Sequence, residues 1–282
     1  MKSKKNISLS KARIVELEEI ARQIRIEVLK ILTRAGSGHT GGSLSIIEIL
    51  VFLYFAKLRH NPQNPTWPAR DRFVLSKGHG APALYAILAR IGYFDGEELQ
   101  KLRTLNGILQ GHPSNITTPG IEISTGSLGQ GLSVACGMAL ASRLDNAKWR
   151  VYVLMGDGEI QEGQIWEACM AAAHYKLDNL CCLIDANKLQ IDGPVSDIMN
   201  VEPLKKKGES FGWRVFEADG HDFQSLSFAF DQCARVKGAP SMIIAHTIKG
   251  KGVSFMQGKV AYHGVAPTAD ELKRALLELR YD

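Results

Sequence analysis

Residues 151–191 constrain the fold of this chain more than any other stretch. They read V-Y-V-L-M-G-D-G-E-I-Q-E-G-Q-I-W-E-A, continue for about the length of a helix, and close on C-C-L-I-D-A-N-K-L-Q-I. Residues 151–155 form a short apolar run with β-branched members, bounded by glycine, which is the pattern of a buried strand. Gly156-Asp157-Gly158 follows as a tight turn, where small residues let the backbone come close to a ligand. Over residues 160–176, apolar and small side chains (Ile165, Cys169, Ala172, Ala173) recur at helical spacing. A second strand over 180–184 then ends in Asp185-Ala186-Asn187.

That geometry implies chemistry. A helix start exposes unpaired backbone N–H groups and partial positive charge, which suits phosphate. Two strands joined through a helix can lie parallel and adjacent, which brings Asp157 and Asn187 together at neighbouring strand tips. Hard oxygen ligands beside phosphate suit magnesium or calcium. An ordinary strand–turn–helix with a solvated aspartate would also read Gly-Asp-Gly. The asparagine at the end of the following strand is what separates the two readings.

With 282 residues the chain is long enough to bury a substantial core. Its 45% hydrophobic and 22% charged content is that of a soluble globular protein. The net charge of +5 is modest, and basic residues cluster only at Lys2–Lys5 and Lys205–Lys207. Such runs read as solvated faces or a loose arm over residues 1–10, not as a nucleic-acid footprint. No signal-peptide segment follows the polar start, and the most apolar stretch, residues 46–56, is too short to span a bilayer. The expectation is a cytoplasmic protein without membrane or nucleic-acid partners. Cys136, Cys169, Cys181, Cys182 and Cys233 form an odd set lacking a C-x-x-C pair, so they read as structural thiols.

Along the chain, Ile14, Leu17, Ala21, Ile24, Val28 and Ile31 mark a long amphipathic first helix. It stops at the glycine-dense loop from Gly36 to Gly42, which holds His39, and Ser43 or Ser45 can cap the next helix. Residues 72–75 form a strand leading into Ser76-Lys-Gly-His79-Gly-Ala-Pro-Ala83. G-H-G-A-P-A fits the dinucleotide pattern G-x-G-x-x-A, but the acidic residue expected roughly 20 positions later should end a strand. Asp95 instead pairs with Glu98 as a helix-capping signal, which argues against a nicotinamide site. Gly111-His112-Pro113 opens a long glycine- and proline-rich loop, and Gly126-Ser-Leu128-Gly-Gln-Gly131 starts a helix of small residues. Helices over 204–211 and 223–236 alternate with strands over 213–216 and 242–245. The last of these strands runs into His246-Thr-Ile248-Lys249-Gly-Lys-Gly252, a basic loop able to neutralise a diphosphate. Thr268 and Glu271 cap a final helix. The alternation implies one α/β domain over 1–282: a doubly wound, mostly parallel sheet with helices on both faces and ligand loops at the strands' carboxyl ends.

G-D-G-E-I-Q-E-G-Q-I-W-E-A followed by N-K-L-Q-I resembles the thiamine diphosphate signature of the transketolase family. Deoxyxylulose-phosphate synthases share the Gly-Asp-Gly and the asparagine but usually lack the E-I-Q-E-G-Q-x-W-E pattern. The resemblance implies that Asp157, Asn187 and the main chain of Leu189 hold a magnesium ion, with calcium or manganese as substitutes. It assigns cofactor contacts to His79, Gly126, Leu128, Gly156, Asp157, Gly158, Glu159, Asn187, Ile191, Ile248 and Lys249. S-G-H39-x-G, S-x-G-H79, G-H112-P and H263-G match segments that carry the family's sugar-side histidines. Glu162 matches a residue at the contact between paired domains. His60, His174, His221 and His246 match no catalytic position and read as structural or exposed.

The resemblance covers only the first half of a full-length transketolase, and the carboxylate that activates the cofactor's aminopyrimidine lies on the half that is missing. The implied protein is therefore the N-terminal subunit of a split transketolase. Its partner would carry the pyrimidine-binding and C-terminal domains, in an assembly of two chains of each kind acting on sugar phosphates. A subunit for a sulfo- or branched sugar and a non-catalytic scaffold are the competing expectations.

Overall fold

A computed structural model describes residues 9–281. Five strands form one parallel sheet: β1 (Arg72–Leu75), β2 (Val151–Gly156), β3 (Leu180–Ala186), β4 (Arg214–Asp219) and β5 (Ser241–His246), in the spatial order β1-β2-β3-β5-β4. Every residue of β2 and β3 is buried. That is why both read as continuous apolar runs: a central parallel strand is covered on both faces.

Successive side chains of these strands point to opposite faces and feed two separate cores. On one face, Tyr152, Leu154, Cys181, Leu183, Ile243 and Ala245 pack with α1 (Lys11–Ala35), α3 (Ile47–Phe52), α4 (Ala81–Ile91) and α9 (Phe223–Arg235). On the other, Val151, Val153, Met155, Cys182, Ile184 and Ile244 pack with α5 (Gln130–Leu144), α6 (Gly163–His174) and α8 (Leu204–Ser210). Short helices α2 (Thr40–Leu44) and α7 (Val195–Ile198) and the terminal α10 (Ala269–Tyr281) complete the fold. The five cysteines are free and buried. No described helix is long and apolar enough to cross a membrane.

The doubly wound parallel sheet expected from the alternation is present, with local differences. Of the expected arm, residues 1–8 lie outside the described residues, whereas Ser10 is ordered as the cap of α1 and accepts from Arg13 N at 3.2 Å. Neither Ser43 nor Ser45 is the N-cap of a helix: α2 starts after His39 and α3 after Ile46, and Ser45 instead ends α2. The Ser43 hydroxyl donates back to His39 O, and Ser45 donates to Asp185, 140 residues away. The expected helix over 160–176 is split into a 3₁₀ turn, Glu159–Gln161, and α6, with an extended Glu162 between them. Asp95 caps a 3₁₀ turn through Glu97 N, while Glu98 pairs with Lys101. Thr268 and Glu271 do form a reciprocal capping box, at 2.8 and 3.2 Å.

Candidate active site

The carboxyl ends of β1, β2, β3 and β5 open onto one cavity of about 460 Å³. β1 leads to Lys77 and His79, β2 to Gly156, Asp157 and Gly158, β3 to Asn187, Leu189 and Ile191, and β5 to Lys249. His39, His112, Gly126, Leu128, Glu162 and His263 reach the same cavity from loops outside the sheet.

The register pairs Gly156 with Asp185, which sets the tips of β2 and β3 side by side. Asp157 is 4% exposed, and its carboxylate accepts only backbone bonds, from Gly158 N at 2.8 Å and Lys188 N at 2.5 Å. No lysine or arginine among the described residues pairs with it. Burial, with Asp185 nearby, pushes its carboxyl up to about 6. Asn187 donates its amide N–H to Asp185 at 2.9 Å, which leaves its oxygen facing away from Asp185, bonded to Leu189 N at 3.1 Å. The Leu189 carbonyl accepts from Lys249 Nζ at 2.7 Å. A buried carboxylate without a cation, an oriented amide oxygen and a main-chain carbonyl form a hard-oxygen donor set that fits a divalent ion holding a diphosphate. A Cβ on Gly156 would touch only Lys77 Cδ at 3.9 Å and Glu159 Cβ at 4.0 Å, so the protein's own packing does not require glycine there.

Beneath this set lies a fully buried hub. Asp185 accepts from Lys77 Nζ at 2.5 Å, Ser45 at 2.7 Å, Asn187 at 2.9 Å and the Thr247 hydroxyl. Burial opposes the Asp185 charge, but Lys77 together with the Thr247 and Ser45 hydroxyls outweighs it and holds the carboxyl below its usual range. Four histidines line the cavity around His39, whose ring centroid lies 5.1 Å from that of His79, 6.2 Å from His112 and 5.6 Å from His263. Burial first, and neighbouring cations second, keep all four neutral: His39 falls to about 4 beside Arg103, and His263 to about 3 beside Lys249. His79 and His112 are lowered in the same way, by burial and then Lys77 and Arg103 respectively. The Lys249 ammonium donates to His263 Nδ1 at 2.7 Å, which leaves the ring proton on Nε2. His39 Nδ1 is buried without a hydrogen-bond partner among the described residues.

Residues 17–282 match the family described as transketolase, thiamine diphosphate binding domain. The chain belongs to the transketolase family. It is 48% identical over 265 residues to a 6-deoxy-6-sulfo-D-fructose transketolase subunit of Clostridium sp. (strain MSTE9), covering 94% of this chain and 96% of that one. It is 43% identical to one of the apulose-4-phosphate transketolase subunits of Phocaeicola vulgatus, with 93% of each covered. The transketolase structure from Campylobacter jejuni superposes with a TM-score of 0.90 at 36% identity, over 95% of this chain but 43% of that one. The chain thus corresponds to the N-terminal, thiamine diphosphate-binding part of a full-length transketolase and to nearly the whole of the split relatives.

Within this transketolase chain, two of the expected cofactor contacts fall outside the cavity wall. Glu159 turns away: its buried carboxylate accepts from Ser76 Oγ at 2.5 Å, Gly129 N at 2.9 Å and Gly156 N at 3.0 Å, tying three wall segments together. Ile248 is 40% exposed and does not line the cavity, while its neighbour Lys249 does. Lys77, Gln161 and Gln190 also line the site. The two glutamines stand inside the thiamine diphosphate signature, and Lys77 fills the unspecified position of S-x-G-H79, but the sequence pattern gives none of them a contact. The signal for Lys77 is its place at the tip of β1, but its partner Asp185 is 108 residues away. Of the histidines matching no catalytic position, His174 is exposed, His246 pairs with Glu217 at 3.0 Å, and His60 bonds Tyr54 O at 2.9 Å. His221 joins a buried network with Glu48.

Proposed function

We propose that this chain is the diphosphate-binding subunit of a split transketolase, which moves a two-carbon ketol unit from a ketose to an aldose with a second subunit carrying the pyrimidine-binding domain. The observation that carries this reading is the convergence of Asp157, Asn187 and the Leu189 carbonyl with His39, His79, His112 and His263 in one cavity. A scaffold that had lost its chemistry would have no need to keep both sets together.

Thiamine diphosphate, when bound, supplies the electron sink for carbon–carbon cleavage. The chain's own part is anchoring and proton handling. Asp157, Asn187 and the Leu189 carbonyl would hold a magnesium ion, for which calcium or manganese would substitute, against the diphosphate. Gly156 and Gly158 leave room for it, and Lys249 would balance part of its charge, Lys77 being already paired with Asp185. The four neutral imidazoles can hydrogen-bond sugar hydroxyls, each accepting at one ring nitrogen and donating at the other. Glu162, at the cavity rim before α6, would face the partner. The two split relatives are named for a sulfonated ketose and a phosphorylated branched sugar, which supports a donor with an anionic terminus, read largely by the partner.

The test is ketol transfer by the purified chain with thiamine diphosphate and magnesium, alone and with the second subunit. Activity and heat of cofactor binding only in the mixture support the proposal. Full activity of the chain alone refutes the split, and no binding under any condition supports the scaffold.

A further inference from the structure

The loop that presents Lys249 is held at both ends by one buried carboxylate. Glu48 on α3 is 6% exposed, and both of its oxygens are taken. Oε1 accepts from Arg25 Nη2 at 2.5 Å, and Oε2 accepts from His221 Nδ1 at 2.9 Å. The far sides of these partners reach the loop. His221 Nε2 accepts the backbone N–H of Ile248 at 2.8 Å, and Arg25 Nε donates to the Lys251 carbonyl at 2.8 Å. The two contacts bracket Lys249, one residue before it and two after. Accepting at Nε2 requires the His221 proton to sit on Nδ1, and Glu48 is the group that fixes that tautomer.

The loop has little freedom to reach this arrangement by other means. Gly252 has φ +88°, and a Cβ there would collide with Arg25, so the chain passes directly against the guanidinium. Gly250 N donates to Gly41 O at 3.0 Å, which joins the same loop to the His39 segment.

We propose that Glu48, acting through His221 and Arg25, is a positioning residue that fixes Lys249 for the cofactor's diphosphate. This rests on the cofactor reading above and deepens it. His221, which matches no catalytic motif, is thereby given a role in cofactor affinity without touching the cofactor. The Glu48–His221 pair orients the Ile248 amide, the amide sets the backbone at Lys249, and that backbone aims Nζ at the space beside Leu189 O and His263.

The experiment is a double-mutant cycle on the full chain assembled with its partner, read by calorimetric titration with thiamine diphosphate at fixed magnesium. His221→Ala should weaken binding roughly tenfold, the loss expected for one hydrogen bond to a positioned group. His221→Gln, which keeps an acceptor at the Nε2 position, should recover most of that loss. In a Lys249→Ala background the effect of His221→Ala should vanish, because the two act in series. Additive losses would overturn the proposal. Amide hydrogen exchange at Ile248 provides an arm that needs no cofactor: exchange should speed up in His221→Ala and return with His221→Gln. Unchanged exchange also overturns the proposal. If the wild-type complex binds no thiamine diphosphate, the cofactor reading itself fails and takes the Lys249 half of the inference with it, while the exchange arm still decides whether the clamp exists.

Discussion

At the scale of single residues, the site is defined by what burial does to charge. His39 and His263 lie among Arg103, Lys77 and Lys249, and a proton on either imidazole would have to be held in poor solvent beside those cations. An ordinary imidazole titrates near 6.5, whereas folded His39 resists protonation down to about 4. Between those values the unfolded chain binds more protons than the folded one, so stability rises with pH across that window. Proton-detected titration of the imidazole resonances should show His39 and His263 neutral above about pH 5, and a His39 resonance titrating near 6.5 would refute this. Gly156→Ala should leave the melting temperature within about 1 °C, because the new Cβ meets only ordinary contacts, and yet weaken thiamine diphosphate binding. Differential scanning calorimetry and titration of the same preparation check both halves.

At the scale of elements, the approach of α5 to β1 depends on Gly131, where a Cβ would lie 2.9 Å from Ser76 Cα. Gly131→Val should therefore cost about 1–3 kcal/mol, measured by urea unfolding, through displacement of the helix start. The contact between α3 and α1 is electrostatic as well as apolar. Burial opposes the Glu48 charge, but Arg25 and His221 outweigh it and hold the carboxyl at about 2, against an ordinary 4.5. The stabilisation is complete above pH 4.5 and fades as pH falls toward 2, so Glu48→Gln should flatten the acid limb of the stability curve. Elements of this kind are unequally legible in the sequence. β2 and most of β3 can be read directly because burial on both faces leaves residues 151–155 and 180–184 apolar, and the readable run stops only at the buried Asp185. The pattern places β4 over 213–216, whereas the strand runs Arg214–Asp219, because at the sheet edge its exposed Arg214, Glu217 and Asp219 mask the signal. Ser45 looks like a helix cap because a cap is a local bond, while its true partner, Asp185, comes from the far side of the chain. Asp157 and Asn187, the pair proposed to hold the metal, can be placed together from the sequence because one strand–helix–strand unit carries both members. The Lys77–Asp185 and Glu48–His221 pairs cannot, since only the closed sheet brings them together.

At the scale of the whole molecule, four strand tips share one ligand site, so the ligand should stabilise the sheet as a unit. If thiamine diphosphate and magnesium bind as proposed, saturating the assembled protein at about 100 times Kd adds about 2.7 kcal/mol. For 282 residues that corresponds to a rise in melting temperature of roughly 4–5 °C. Chelation with EDTA should abolish the rise, and Asp157→Asn should not show it; a rise that survives both would place the anchor elsewhere. The strand order carries one more consequence. β5 is the last strand to be made, yet it lies between β3 and β4. A nascent chain still attached to the ribosome before Ser241 therefore has an open slot in the middle of its sheet, with the edges of β3 and β4 bare. At about 5–20 residues per second, that slot stays open for seconds after β3 has emerged. This is the interval in which a chaperone able to shield exposed strand edges would matter most to its yield.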